Sequence, residues 1–325
     1  MSSNNNIRNV AIVGGAGNSG SYMTAELLKT GKHTVTAISR ADSNSNFPKG
    51  VRVARVDYKQ PETLVEALRG QDVLVITLSV FAESTQQKAL IEAAGEAEVP
   101  WILPNEWCPD TADEGLVRDV APFQGNVATR KLIGDLGKSS YISVVNGFWY
   151  EWSLSIPSAF GIDINKKEAT LFDDGRTRIS TTTWPQVGRA VAALLSLPVK
   201  AENGSNEACL EAFRNQLVYI KSFTISQREM LESIFRVSAT NESDWRISKE
   251  RAEERYAEGS KAMIEGDRLG YVRMMYTRVF YADGNGDYES RKGVSNADLG
   301  LPTEDIDAAT RVAVERAKTW AFRSI

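Results

Sequence analysis

The residues best suited to chemistry lie near the N-terminus, in Gly14-Gly15-Ala16-Gly17-Asn18-Ser19-Gly20. The run follows the apolar stretch Val10-Ala11-Ile12-Val13 and opens a stretch with helical spacing, Tyr22 to Thr30. Glycines at 14, 17 and 20 in that context suit a pyrophosphate. Gly14 allows the tight turn out of the strand, Gly17 lets the backbone approach the phosphates, and Gly20 lets the helix pack closely. The N–H groups at the helix start, around Asn18 and Ser19, then hold the anion with help from the helix dipole. Without that context the run would be a glycine-rich turn of an ordinary α/β protein.

The end of the second apolar run bears on which dinucleotide. Arg40, preceded by Ser39, stands twenty residues after Gly20. An acidic residue there binds ribose hydroxyls, whereas arginine suits a 2′-phosphate, so the expected cofactor is NADP(H). The competing reading of Arg40 is an exposed charge after a strand. Asp57, after the third strand, either faces the adenine edge or starts a turn. Ser79 and Pro104-Asn105 end the fourth and fifth strands, at the carboxyl edge that lines such a crevice.

The elements needed to position these residues are visible as rhythm. Strands are expected at Val10–Val13, His33–Ser39, Val51–Val56, Val73–Leu78, Trp101–Leu103 and Tyr141–Val145, with helices between them at Tyr22–Thr30, Pro61–Arg69, Ser84–Ala97 and Val127–Leu136. Such alternation implies right-handed βαβ units and a parallel sheet covered on both faces. The second half loses the rhythm. A hairpin is expected over Lys166–Arg178 around Asp173-Asp174-Gly175, and a strand at Val218–Ser222. Helices are expected at Gln186–Leu197, Ser226–Val237, Arg251–Ile264 and Thr303–Arg323, with Ser226 and Glu229 forming a capping box. Asp283–Asn296 is expected to be a loop. The fold class is therefore α/β: a Rossmann-type doubly wound parallel sheet over residues 1–150, with a smaller α+β substrate-binding cap over 151–325, partly interleaved with the sheet.

Composition excludes other chemistries. The 325 residues are 42% hydrophobic and 25% charged, an ordinary globular balance with ample chain for a core. One histidine, His33, and two distant cysteines, Cys108 and Cys209, leave no His–His or CxxC metal set, so no metal is expected. A net charge of -4 gives no basic footprint for nucleic acid. No apolar run approaches the ~18–20 residues of a membrane span, and Met1–Arg8 has no apolar leader core. A cytoplasmic protein acting on a small molecule is expected, with a homodimer as its assembly.

Taken in order, Gly14–Gly20, Arg40, Pro104-Asn105-Glu106-Trp107 and Asn146-Gly147-Phe148-Trp149 resemble the NmrA-like and isoflavone-reductase-like group, which are atypical short-chain dehydrogenase/reductases. Ile179–Leu197, with Thr183-Trp184-Pro185, extends the likeness. It covers most of the chain to about Ser238 and is strongest toward the fungal branch. The resemblance implies bound NADPH and a substrate pocket between sheet and cap. It also implies a lysine early in the helix before the sixth strand. Alignment through Arg130-Lys131-Leu132-Ile133 places Asn126 at that position. Lys131 lies five residues on, roughly 100–140° around the helix. Asn126 can hydrogen-bond a carbonyl but does not readily give a proton.

Candidate catalytic residues are thus Asn126, Lys131 and Tyr150. Glu106, Trp107, Phe148, Trp149 and Trp152 are candidate substrate contacts, each with packing or plain solvation as its alternative. The Tyr-x-x-x-Lys spacing of conventional short-chain enzymes occurs at Tyr288 and Lys292, in the expected loop, and is read as coincidence. The expected function is an NADPH-dependent reductase of a small aromatic or polyketide-like metabolite. The alternatives are a non-catalytic NADP-binding redox sensor acting through a regulatory protein partner, and a non-redox rearrangement on the same fold.

Overall fold

The computed structural model describes residues 5–79, 82–201 and 208–319. The first half runs β1 (Asn9–Val13), α1 (Gly20–Lys29), β2 (Thr34–Arg40), β3 (Arg52–Val56), α2 (Pro61–Leu68), β4 (Val73–Ile76), α3 (Ser84–Glu96), β5 (Trp101–Leu103), α4 (Glu114–Asp119), α5 (Ala121–Leu136) and β6 (Ser140–Val145). Then follow β7 (Phe148–Trp149), α6 (Tyr150–Ser153), β8 (Ile162–Asp163), β9 (Glu168–Phe172), β10 (Arg178–Thr182), α7 (Trp184–Leu195), β11 (Gln216–Tyr219), β12 (Phe223–Ser226), α8 (Gln227–Ser238), β13 (Arg246–Glu250), α9 (Ala252–Ile264), α10 (Arg268–Arg278), α11 (Tyr288–Lys292) and α12 (Ile306–Lys318).

Among the described residues a seven-stranded parallel sheet has the order β11-β6-β5-β4-β1-β2-β3. The central strand β4 is apolar and buried throughout, and β1 is buried at all but Asn9, as strands covered on both faces must be. Order reverses between β1 and β4, and a crevice opens outside the carboxyl ends of strands at such a switch. One face packs on α1 and α7 through Met23, Leu27, Val187 and Val191; the other packs on α2, α3 and α5 through Leu64, Leu68, Leu90 and Ile133. Gly188 makes the α1–α7 contact close: a Cβ there would lie 2.7 Å from the Tyr22 carbonyl oxygen.

The second half is threaded through the first. Its strand β11 adds to the sheet beside β6, with Tyr219 opposite Val145. The sheets β12-β10-β7 and β13-β9-β8 lie over a third core built on Phe160, Phe172, Tyr276 and Phe280. No helix among the described residues is long and apolar enough to cross a membrane.

Three expectations change here. The turn at Asp173–Gly175 exists, with both residues at positive φ, but it does not close a hairpin. Strand β9 is paired by β8 and β13, and β10 by β7 and β12, so the turn passes the chain between two sheets. Of the expected strand Val218–Ser222 only Val218 and Tyr219 are in strand, as the end of β11, and residues 220–222 connect it to β12. The expected loop Asp283–Asn296 contains α11, capped by the Asp287 carboxylate accepting from Ser290 N. Helix α10 had no signal because its buried residues, Val272, Met274, Tyr276 and Arg278 among them, include a cation and do not make an apolar stripe. The Ser226–Glu229 capping box forms as expected. The final helix ends at Lys318, and the last part of the expected Thr303–Arg323 helix lies outside the described residues.

Candidate cofactor crevice and active site

The glycine loop joins β1 to α1 with no room for a side chain at Gly14 or Gly20. Gly14 has a φ of 74°, and a Cβ there would overlap the Thr77 carbonyl oxygen beyond β4. A Cβ on Gly20 would overlap Gly14 O and lie 2.7 Å from Thr77 Oγ1. Gly17 is different: it is exposed, and its Cβ would meet only Gly14 O, at 3.1 Å. Gly14 and Gly20 are therefore required by the fold, while the face at Gly17 and the exposed Asn18 is open to a ligand. Ser19 is the N-cap of α1 but spends no side-chain hydrogen bond on the cap, and the first turn carries no acidic residue. An anion arriving there meets a helix dipole and no competing carboxylate.

At the other end of the crevice, Arg40 is exposed and lies 3.5 Å from the exposed Asp42. Ser39 is buried, and its hydroxyl accepts from Arg55 on β3, 3.2 Å away. Tyr58 lies close enough to Arg40 to feel its charge, although burial dominates and pushes its phenol up. Asp57 is committed to a turn: its carboxylate accepts from Lys59 N at 2.9 Å and from Gln60 Nε2 at 3.1 Å. The wall beyond β4 and β5 is tied together through Asn105, which donates from N to Gln87 Oε1 (2.9 Å) and from Nδ2 to Leu78 O (3.2 Å). Pro104 is buried beside it and Ser79 is exposed at the end of the β4 segment.

Asn126 stands on the first turns of α5 and donates to Cys108 Sγ at 3.3 Å. Burial pushes the Cys108 thiol up. The Cys108 carbonyl accepts from Asn146 N at 3.3 Å, joining the segments after β5 and β6. Tyr271, from α10, packs on the same apolar cluster as Cys108, and burial pushes its phenol up. Hydrogen bonds thus link Cys108, Asn126 and Asn146 beyond the ends of β5 and β6. The sequence reading found Asn126 but not Tyr271, whose helix carried no pattern.

The other catalytic candidates are elsewhere. Lys131 points outward, 73% exposed, in an i,i+4 pair with Asp135 at 2.6 Å. Tyr150 is fully buried under α12, with its hydroxyl 2.7 Å from Thr310 Oγ1. Burial pushes that phenol up. Tyr288 is also buried and donates to Ile220 O at 2.6 Å, so it does not pair with Lys292. Lys292 instead reaches Tyr219 and Asp110. His33 is half-buried and bonded to Ile7 O and Ser196 Oγ, at the opposite end of β2 from Arg40.

The candidate substrate residues divide. Glu106 is 2% exposed; its carboxylate accepts from Arg130, Thr111 and Ser143, so it is a buried anchor between β5, α5 and β6. Trp107 is in the sheet core, its indole N–H on Ile76 O at 2.8 Å. The two-residue strand β7 sends Phe148 and Trp149 to opposite faces. Phe148 stacks on Tyr276 at 3.8 Å, whereas Trp149 and Trp152 lean on Trp184 at 5.9 and 5.4 Å. Only Phe148 of the five joins the aromatic group at the α10 side. No group of three or more metal-binding side chains occurs among the described residues.

A glycine cradle at the switch point of a parallel sheet covered by helices on both faces defines a Rossmann-type dinucleotide-binding fold. The model of the NmrA-like family matches residues 7–204, and the chain belongs to that family. An oxidoreductase from Aspergillus flavus, aprR, is 29% identical over 308 residues, covering 92% of this chain and 96% of the relative. Among solved structures, an isoflavone reductase superposes with a TM-score of 0.72 at 18% identity, over 93% of this chain and 97% of the other. AtPrR2 with NADP+ and (+)-pinoresinol superposes with a TM-score of 0.69 at 16% identity, over 95% and 99%.

Proposed function

We propose that this chain is an NADP(H)-dependent oxidoreductase that reduces a small aromatic or polyketide-like metabolite. The observation that carries the reading is the cradle: Gly17 and Asn18 open, Ser19 uncommitted at the start of α1, and Arg40 at the end of β2. These residues fit a dinucleotide with a 2′-phosphate. The nearly full-length likeness to a fungal oxidoreductase supports the redox class, and the aromatic ligand in one structural neighbour supports the substrate class. Bound NADPH supplies hydride.

The protein's part is positioning. Asn18 and Ser19 hold the pyrophosphate, Ser39 and Arg40 the 2′-phosphate end, and Ser79, Pro104 and Asn105 form the wall below the nicotinamide. The Asn126 amide donates a hydrogen bond to a carbonyl acceptor, Phe148 and Tyr276 flank it, and Tyr271 offers the proton-bearing hydroxyl that Asn126 lacks. A test is NADPH oxidation followed by absorbance against a panel of aromatic ketones, enones and imines, in which turnover with at least one acceptor is expected.

A second reading, a non-catalytic NADP-dependent regulator, is favoured by one observation: asparagine fills the position of the family's lysine, and Lys131 faces solvent. No turnover with any acceptor, together with NADP-dependent binding of a protein partner, would replace the first reading with this one.

A further inference from the structure

We infer that Arg55, on β3, is a second determinant of selection for the phosphorylated cofactor, working with Arg40; this rests on the NADP(H) reading above. Arg55 stands opposite Ser39 in the β2–β3 register. Its Nη1 donates to Ser39 Oγ at 3.2 Å, to Arg40 O at 3.1 Å and to Ser43 O at 2.7 Å. The same turn is closed by Ser43 N on Arg40 O at 3.1 Å and by Ala41 N on Val56 O at 3.0 Å. One guanidinium nitrogen therefore fixes the backbone from which Arg40 projects.

The acceptors are all uncharged oxygens. Arg55 has no carboxylate partner among the described residues, and its Nε and Nη2 make no hydrogen bond there. The only ion pair at this end joins Arg40 to Asp42 at 3.5 Å, with both side chains mostly exposed. Arg55 thus adds a second guanidinium to the turn from which Arg40 projects, where one exposed carboxylate, Asp42, is paired with Arg40. That surplus of positive charge costs self-repulsion in the free protein and favours an anion of charge close to −2 beside the adenosine ribose. Guanidinium groups suit this role because they stay charged and present several donors in fixed geometry. The sequence rule looks only at the end of the second strand, so a residue fifteen positions later on the neighbouring strand escapes it.

The test is titration of the full chain with NADPH and with NADH, comparing wild type with Arg55→Gln, Arg55→Lys, Arg40→Gln and the double variant Arg40→Gln/Arg55→Gln. Arg55→Gln should weaken NADPH roughly tenfold or more, about 1.4 kcal/mol, and change NADH less than about threefold. Arg55→Lys should keep part of the preference. The double variant should lose less than the product of the single losses, because both side chains serve one phosphate. Arg55 is exposed and its bonds hold only a surface turn, so these variants should stay folded, with melting temperatures within a few degrees of wild type. Equal losses for both cofactors would mean that Arg55 only clamps the turn, and no loss for either would mean that it does nothing here; both outcomes overturn the inference. A preference kept in Arg55→Gln and lost in Arg40→Gln would also overturn it while leaving the cofactor reading intact. A wild-type protein that does not prefer NADPH would overturn both.

Discussion

Lys292, on α11, donates to the hydroxyl of Tyr219 at the end of β11, 3.1 Å away, and its Nζ lies 2.6 Å from Asp110 Oδ2. This contact fastens the cap to the edge of the parallel sheet. Asp110 is 2% exposed and Lys292 31%, so the carboxylate depends on this cation more than the cation depends on it. Removing one partner of a buried pair costs about 3–5 kcal/mol, and the exposure of Lys292 places this case near about 2–3. Lys292→Met should therefore destabilise the fold by about 2–3 kcal/mol in urea unfolding, and Tyr219→Phe by only about 1. A loss below about 1 kcal/mol for Lys292→Met would show that water already solvates Asp110.

The three glycines of the cradle should separate by experiment. Gly20→Ala places a methyl group against the Gly14 backbone carbonyl and the buried Thr77 hydroxyl. It should lower the melting temperature and abolish NADPH binding together. Gly17→Ala meets one oxygen at 3.1 Å on an exposed loop. It should leave the melting temperature within a few degrees of wild type while weakening NADPH roughly tenfold or more, since the methyl group occupies the phosphate approach. Unchanged NADPH affinity in Gly17→Ala would place the cofactor somewhere other than this loop.

The parallel sheet was legible because its inner strands β1, β4 and β5 are nearly continuous apolar runs, with the glycine loop directly after the first. What escaped depends on contacts distant in sequence. Phe148 and Trp149 look alike as letters, and only the pleat of β7 separates them. Glu106 could have faced solvent, and only the fold brings Arg130 from α5 and Ser143 from β6 onto its oxygens. Tyr288 and Lys292 have the spacing of a catalytic pair. Yet Tyr288 turns into the interior while Lys292 turns toward Tyr219, which lies 73 residues away.

The Glu106–Arg130 pair is a second place where the fold outweighs a candidate binding role. Both side chains are largely buried, at 2% and 11% exposed, and Thr111 and Ser143 complete the carboxylate's hydrogen bonds. Arg130→Met leaves a buried, solvent-shielded charge and should cost about 3–5 kcal/mol in chemical unfolding. If Glu106 instead faced a ligand, Arg130→Met would change affinity for small molecules and leave the unfolding midpoint in place.

Glu151 on α6 should make stability depend on pH. It is 3% exposed; one oxygen accepts from Trp184 N at 2.9 Å, and the other is buried with no hydrogen-bond partner among the described residues. Burial pushes its carboxyl up to about 7 from an ordinary 4.5, with Glu304 adding to the rise and Arg316 opposing it. Between these two values the folded chain holds a proton that the unfolded chain has released. Unfolding in that window releases the proton, so stability falls as pH rises from about 4.5 and levels off above about 7. The full change is on the order of 3 kcal/mol. Asp307, held near 2 by Arg236, works the other way, but its contribution is lost only as the medium becomes more acidic than this window. Glu151→Gln keeps the acceptor for Trp184 N and removes the charge. Urea unfolding of wild type should weaken between about pH 5 and about pH 8, and the variant should lose most of that slope and match or exceed wild type at the higher pH. Parallel curves for the two proteins would mean that water reaches Glu151 and that its carboxyl titrates in the ordinary range.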